Sequence, residues 1–139
     1  MLSSLQTYGE FIYTLPQRFD SIRASTLILK PRGAMLAELS GTLEFDRDLV
    51  LRVAEEIDLE RQRITTYFYS VEQTGERIYW YDPQPHPTDA ALQSTHQHNK
   101  HIAPNIKRHR VTAPGLGFTQ PNLPFLIQEI TARLEQAAE

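Results

Sequence analysis

The chain has 139 residues and contains no cysteine. It also lacks an apolar run close to the roughly 20 residues that a membrane-spanning helix needs. The missing cysteines exclude disulfides and thiolate metal sites and fit a reducing compartment, so we expect a cytoplasmic protein. The first residues have neither the basic start nor the continuous apolar stretch of a secretion signal. We therefore expect no membrane association.

Acidic side chains are absent from one long segment, although the net charge of the chain is −3. No aspartate or glutamate occurs between Asp89 and Glu129. Imidazole exchanges protons near neutral pH, and Lys and Arg bind phosphate, so a segment rich in both predicts binding or chemistry at a polyanion. The residues concerned are His96, His98, His101 and His109, interleaved with Lys100, Lys107, Arg108 and Arg110.

The length predicts a single domain, 1–139, and a composition of 40% apolar and 22% charged residues is typical of a soluble globular protein. Apolar residues recur every three or four positions in two segments, 2–15 and 123–134, which predicts a helix near each end. The expected boundary residues are Ser3 or Ser4 and Pro16 for the first helix, and Asn122 with Pro124 for the second.

Alternating or β-branched patterns predict about five strands between these helices. The alternation is clearest from Met35 to Phe45. In the next segment, Ala54-Glu55-Glu56 would also suit a helix, but the neighbouring Val and Ile residues favour a strand. We interpret the charge run Glu55, Glu56, Asp58 and Glu60 as a solvated strand edge. The expected strands cover residues 22–29, 35–45, 49–57, 64–69 and 77–81.

A hairpin is predicted where two aromatic strands flank Gly75, a residue suited to positive φ. A turn centred on Thr74 would pair Tyr67 with Tyr81, Tyr69 with Tyr79, and Phe68 with Trp80. One face of the hairpin would then be apolar (Ile64, Phe68, Ile78 and Trp80) and the other a tyrosine surface flanked by Arg77. The tyrosines either stack unpaired bases or belong to the protein core, and the pattern leaves both readings open.

Prolines and glycines predict a long, mostly irregular and basic loop over residues 83–121. The predicted fold is therefore α+β: an antiparallel sheet of about five strands, with an N-terminal and a C-terminal helix packed on one face, and the irregular loop before the last helix.

Histidines and cations without a carboxylate cluster suit metal-free cleavage of RNA. Attack of a 2′-hydroxyl on the adjacent phosphate needs a base, an acid and a cation at the phosphoryl oxygens. Two alternatives remain open. His86, His96, His98 and His101 could bind a metal, although their spacing matches no strong zinc signature and nearby cations oppose it, or they could be solvated loop residues.

The motif Tyr81-Asp82-x-x-Pro85-His86-Pro87, followed by a His-rich stretch that ends in Lys100-His101, resembles the TumE-type toxin family. The likeness covers roughly residues 2–135, and its specific part is 64–102. The chain departs from the family pattern at Pro83, and at Asn99, which interrupts the usual His-Lys-His. The resemblance implies a small prokaryotic toxin that acts on RNA and is encoded beside a helix-turn-helix antitoxin.

On this basis we expect a metal-independent ribonuclease. His101 and His86 would be the base and the acid, in either order. Lys100 and Arg77 would hold the phosphate, and Asp82 would orient a histidine. The substrate-binding candidates are Arg77, Tyr67, Tyr69, Tyr79, Tyr81 and His98, and we assign no metal and no cofactor. The expected partners are RNA and a cognate antitoxin.

The main alternative to a ribonuclease is a non-catalytic interaction domain, either monomeric or dimeric. Its basic loop would bind an acidic partner with salt-sensitive affinity. A zinc enzyme is the third alternative.

Overall fold

Three helices and one antiparallel sheet make up the part of the chain that the computed structural model describes, namely residues 1–83, 98–102, 110–113 and 115–138. The helices are α1 (Leu5–Tyr13), α2 (Leu15–Arg18) and α3 (Leu123–Ala138). The strands are β1 (Ala24–Ser25), β2 (Ile28–Arg32), β3 (Leu36–Glu44), β4 (Leu49–Asp58), β5 (Arg63–Gln73), β6 (Glu76–Asp82), β7 (Asn99–Ile102) and β8 (Arg110–Thr112). The α+β class is confirmed, but the sheet has eight strands where about five were expected.

Strand order in the sheet follows chain order. From β3 to β8 each strand pairs with the next one, always antiparallel. The short strands β1 and β2 lie end to end beside β3, in place of the single strand predicted over 22–29. From β3 to β6 the connections have only two to four residues, because antiparallel neighbours can be joined by tight turns.

Both terminal helices begin where the sequence predicts. The Ser4 side chain accepts a hydrogen bond from the Thr7 backbone N–H at 3.0 Å and caps α1. Asn122 precedes α3, and its carbonyl accepts from Leu126 N–H. Pro124 lies in the first turn of α3, where its missing N–H costs nothing.

The helices cover one face of the sheet, as predicted. Tyr8 of α1 donates a hydrogen bond to Glu55 of β4, and Tyr81 of β6 donates to Glu129 of α3. We call this side the helix face. The opposite side carries Glu38, Glu56, Phe68 and Trp80 among others, and we call it the open face, because none of the three described helices packs on it.

Glu55 corrects one expectation from the sequence. β4 lies between β3 and β5, so it is not an edge strand, and its alternation buries Glu55 on the helix face with 3% of its surface exposed. Glu56, by contrast, is exposed on the open face. The interpretation of this acidic run as one solvated edge is therefore wrong, because neighbouring residues of a strand point to opposite sides of the sheet.

The register of the β5–β6 hairpin is also different from the prediction. The turn has two residues, Thr74 and Gly75, with φ angles of 53° and 79°, so the strands are paired around the bond between them rather than around Thr74. Ile78 has no partner in the register and forms a β-bulge, which shifts the pairing once more. The observed pairs are Tyr69 with Tyr81, Ser70 with Trp80, and Val71 with Tyr79.

Two strands lie in the segment that was expected to be an irregular loop. β7 pairs with β6, and β8 pairs with β7, so together they extend the sheet at this edge. They have four and three residues, which is too short for a pattern of alternation to stand out in the sequence. Tertiary pairing with β6 decides their structure.

Candidate functional site

The side chains best suited to catalysis lie on the open face of β5, β6 and β7. Trp80 of β6 is opposite His101 of β7 in the register, and Asp82 is opposite Asn99. Alternate residues of a strand share a face, so Trp80, Asp82 and His101 lie together beside Phe68 of β5. Trp80 and Phe68 have ring centroids 6.4 Å apart.

His101 and Asp82 form a polar pair in this group. The His101 Nε2 atom is 3.1 Å from Asp82 Oδ2, and the two side chains are 6% and 16% exposed. In this hydrogen bond the Nε2–H group of the imidazole donates to the Asp82 carboxylate. The ring also stacks on Trp80, with centroids 4.6 Å apart and planes inclined by 23°. Both contacts fix the orientation of the imidazole, as a general base requires.

Arg77 reaches the same face because of the bulge at Ile78. The bulge adds one residue between Arg77 and Tyr79, so Arg77 pairs with Glu72 instead of sharing the side of Tyr79. Its guanidinium carbon lies 4.8 Å from the ring centroid of Trp80 and 5.3 Å from that of Phe68. Arg77 is therefore a cation held over aromatic rings, and one of these rings, Trp80, also contacts His101.

Lys100 lies on the helix face, although it precedes His101 directly in the chain. Its Nζ donates to Glu129 of α3 at 3.1 Å and lies 4.3 Å from the ring centroid of Tyr79. Tyr81 donates to the same carboxylate at 2.6 Å. The structure does not bring Lys100 and His101 together, because neighbouring residues of β7 point to opposite sides of the sheet.

The four tyrosines predicted either to stack bases or to belong to the core are core residues. Tyr67, Tyr69, Tyr79 and Tyr81 are at most 5% exposed. The Tyr69 hydroxyl donates to Glu55 at 2.5 Å, and that of Tyr67 contacts His98 Nδ1. Burial raises the pKa of Tyr67, Tyr79 and Tyr81, and nearby carboxylates add to the rise. His98, which also contacts the Phe118 ring, lies on the helix face with them.

Sequence reasoning missed two carboxylates that hold the helix face together. Glu55 occupies the fourth buried position in the β4 alternation Leu49, Leu51, Val53, Glu55, Ile57, and this pattern could have revealed it. Glu129 lies three residues after Leu126 on the buried stripe of α3 and accepts from Tyr81 and Lys100. Charged residues at apolar positions of a pattern are the signal for such buried partners.

A cavity of about 520 Å³ on the open face has Asp82 in its lining. Its lining includes Glu38, Glu56, Thr66, Phe68 and Asp82. Among the described residues, no group of three or more His, Asp or Glu side chains has a geometry that could hold a metal ion. His86, His96 and His109 lie outside the described residues.

Comparison with known families decides which group the chain resembles. A family model described as "Toxin TumE" matches residues 13–134, which is most of the chain. The chain belongs to the TumE toxin family. Membership makes it a toxin-type protein of a toxin–antitoxin system. The match includes all the strands and the two positions, Asp82 and His101, that meet on the open face.

Searches of curated proteins and of solved structures found no match to the chain. No helix in the described ranges is both long and apolar enough to cross a bilayer.

Proposed function

We propose that this TumE-family protein is a metal-independent endoribonuclease toxin whose reaction takes place on the open face. The observation that carries the proposal is the oriented pair of His101 and Asp82, with the exposed cation of Arg77 on the same face and in contact with the Trp80 ring on which His101 stacks. A positioned imidazole with a cation nearby provides two of the elements that cleavage of RNA at a 2′-hydroxyl requires.

In this mechanism His101 Nδ1 removes the proton from the 2′-hydroxyl, whose oxygen attacks the adjacent phosphorus. The bond from phosphorus to the 5′-oxygen breaks, and an acid protonates that oxygen as it leaves. His86, which the TumE-like motif places shortly after Asp82 in the chain, is the residue we propose as this acid. Asp82 stabilises the imidazolium that forms on His101, and Arg77 stabilises the charge that builds on the phosphoryl oxygens.

Lys100 has a different role in this proposal from the one expected from the sequence. Its ammonium group is engaged by Glu129 and by the Tyr79 ring on the far side of the sheet, so we assign it to the stability of the helix face. We propose RNA in the cytoplasm as the substrate and a helix-turn-helix protein as the cognate antitoxin.

The experiment that tests the proposal uses the purified chain and bulk cellular RNA, with and without a chelator, followed by sequencing of new RNA ends. We expect cleavage that survives chelation. Replacement of His101 by Gln should lower the rate by about 100-fold or more, because this is the usual contribution of a general base. D82N should lower the rate less, since the histidine remains.

The matched control is K100M, which changes the neighbouring residue of the same strand on the opposite face and should leave the rate unchanged. Each variant is first checked by its unfolding temperature. Cleavage by H101Q at the rate of the unmodified chain would overturn the assignment, and cleavage lost with the chelator would indicate a metal enzyme.

A second candidate function is a non-catalytic interaction domain, dimeric in one version. The observation that favours it is the low exposure of the His101 side chain, 6%, since a packed imidazole stacked on Trp80 can serve structure alone. This candidate predicts binding without turnover, so the absence of new RNA ends in the same experiment would support it.

A further inference from the structure

A stack of flat groups runs across the open face. The Arg77 guanidinium carbon lies 4.8 Å from the ring centroid of Trp80, and the imidazole of His101 stacks on the same indole with ring centroids 4.6 Å apart. Phe68 supports Arg77 from β5 at 5.3 Å. The stack ends in solvent on the arginine side, because Arg77 is exposed whereas Trp80 is 9% exposed.

Arg77 has no carboxylate partner among the described residues. Glu72 is its partner in the register, but the Glu72 carboxylate accepts from Arg52 Nε at 2.9 Å. An arginine that is stacked on aromatic rings and left without an ion pair keeps two surfaces for a ligand. The outer flat side of the guanidinium can stack on another planar group, and its in-plane N–H groups can donate to an anion.

We propose that the site binds single-stranded RNA. One unpaired base stacks on the guanidinium group of Arg77, and the N–H groups of Arg77 bind the adjoining phosphate. The proposal builds on the proposed ribonuclease function and names the class of RNA. A base inside a duplex has both of its flat sides covered by neighbouring base pairs, so only an unpaired base can lie on the guanidinium.

The charge on the rest of the open face agrees with a short single-stranded footprint. Glu38 and Glu56 are opposite each other in the β3–β4 register and line the cavity beside Asp82. A duplex binds by many phosphate contacts along its length, and carboxylates along its path would repel it. One stacked base next to one phosphate avoids that repulsion.

The test measures binding without cleavage. Trp80 is the single tryptophan of the chain, so its fluorescence reports on a base that stacks in this layer. The full chain is titrated with a short 2′-O-methyl RNA strand, which has no 2′-hydroxyl to react. The same strand in a blunt duplex and an abasic strand with the same number of phosphates are titrated in parallel.

We expect the single strand to change the Trp80 fluorescence and to bind about tenfold more tightly than the abasic strand or the duplex, which is the usual size of a stacking contribution. R77K keeps the charge but loses the planar group, so it should bind the base-containing strand about tenfold more weakly and the abasic strand unchanged. R52K, on the same face but paired with Glu72, is the control and should bind as the unmodified chain does.

Equal binding of the abasic strand and the base-containing strand, or an R77K variant that binds as tightly as the unmodified chain, would overturn the stacking proposal. These results are independent of turnover. Base-dependent binding without any RNA cleavage would refute the ribonuclease function alone, whereas cleavage without base-dependent binding would refute the stacking role alone.

Discussion

A buried carboxylate needs partners for its charge, and Glu55 has two of them. It accepts hydrogen bonds from the Tyr8 and Tyr69 hydroxyls, each at 2.5 Å, and the Asn122 amide donates to Tyr69 at 3.0 Å. These four residues come from α1, β4, β5 and the residue before α3. The network therefore joins both terminal helices to the centre of the sheet.

Removal of one tyrosine hydroxyl from this network should cost about 1.5–3 kcal/mol in the free energy of unfolding, the usual value for a hydrogen bond to a charged group. Y8F and Y69F test this by urea denaturation. The control is Y13F, because the Tyr13 hydroxyl accepts from Leu29 N–H and its residue is 55% exposed. Equal losses in all three variants would contradict a special role for the Glu55 network.

The protonation of Glu55 should make stability depend on pH. Burial raises the pKa of Glu55 above its ordinary value of 4.5, although the two tyrosine bonds oppose the rise. The folded chain then holds this proton more tightly than the unfolded chain does. The resulting stabilisation is complete below pH 4.5 and is lost as the pH rises through the raised pKa.

E55Q has no proton to lose at this position, so it isolates the effect. We expect the free energy of unfolding of the unmodified chain, minus that of E55Q, to decrease as the pH rises from 4.5 toward neutrality. Urea titrations at several pH values measure the difference. A difference that stays constant or increases with pH would show that the pKa of Glu55 is not raised.

At the scale of elements, the close approach of β3 to the segment between β1 and β2 depends on one glycine. Gly41 has a φ of 134°, and a Cβ atom there would lie 2.6 Å from the carbonyl oxygen of Thr26. Thr26 lies between the end of β1 and the start of β2. The interruption of the edge strand therefore lies directly beside Gly41. A side chain at position 41 would meet backbone atoms, which cannot move aside easily.

We expect G41A to lower the free energy of unfolding by about 2–4 kcal/mol, from backbone strain together with overpacking. G75A is the matched comparison, since Gly75 also has a positive φ of 79° but a Cβ there would meet no atom within 4 Å. It should cost about 1 kcal/mol. Thermal or urea unfolding of both variants checks the order, and a G75A cost equal to that of G41A would refute the steric argument.

For the whole molecule, the sheet separates two tasks. The helix face carries the core and the polar contacts of Glu55 and Glu129, and the open face carries Arg77 and the His101–Asp82 pair. One sheet gives both faces a common frame while its thickness keeps their side chains apart. Substitutions on the two faces should therefore have separable effects.

We predict that Y81F lowers the free energy of unfolding by about 1–3 kcal/mol but leaves the affinity for single-stranded RNA unchanged in the folded chain. R77Q should do the reverse, with weaker RNA binding and a stability within about 0.5 kcal/mol of the unmodified chain, because Arg77 is exposed. Urea unfolding and RNA titration of both variants measure the two effects. An RNA-binding loss in Y81F as large as that in R77Q would contradict the separation of tasks.

Sequence pattern alone determined most of the elements of this protein. The helical stripe of α1, with Ser4 as its cap, the alternation of β3 and β4, and the positive φ of Gly75 all follow from local preferences that act within a few residues. The residues of the TumE-like motif were also visible in the sequence. Local rules are reliable here because each one depends on neighbours in the chain.

Only the tertiary structure decided which face of the sheet became the core and which side chains meet. Alternation shows that the tyrosines share a side, but not that the helices cover that side. The helix side also supplies hydrogen-bond partners for two of the four hydroxyls: Glu55 and Asn122 bond to Tyr69, and Glu129 bonds to Tyr81. The pairing of β6 with β7 separated Lys100 from His101, and one bulge brought Arg77 to the face that carries His101. Such outcomes depend on contacts between residues far apart in the chain, and these contacts form only when the whole sheet has folded.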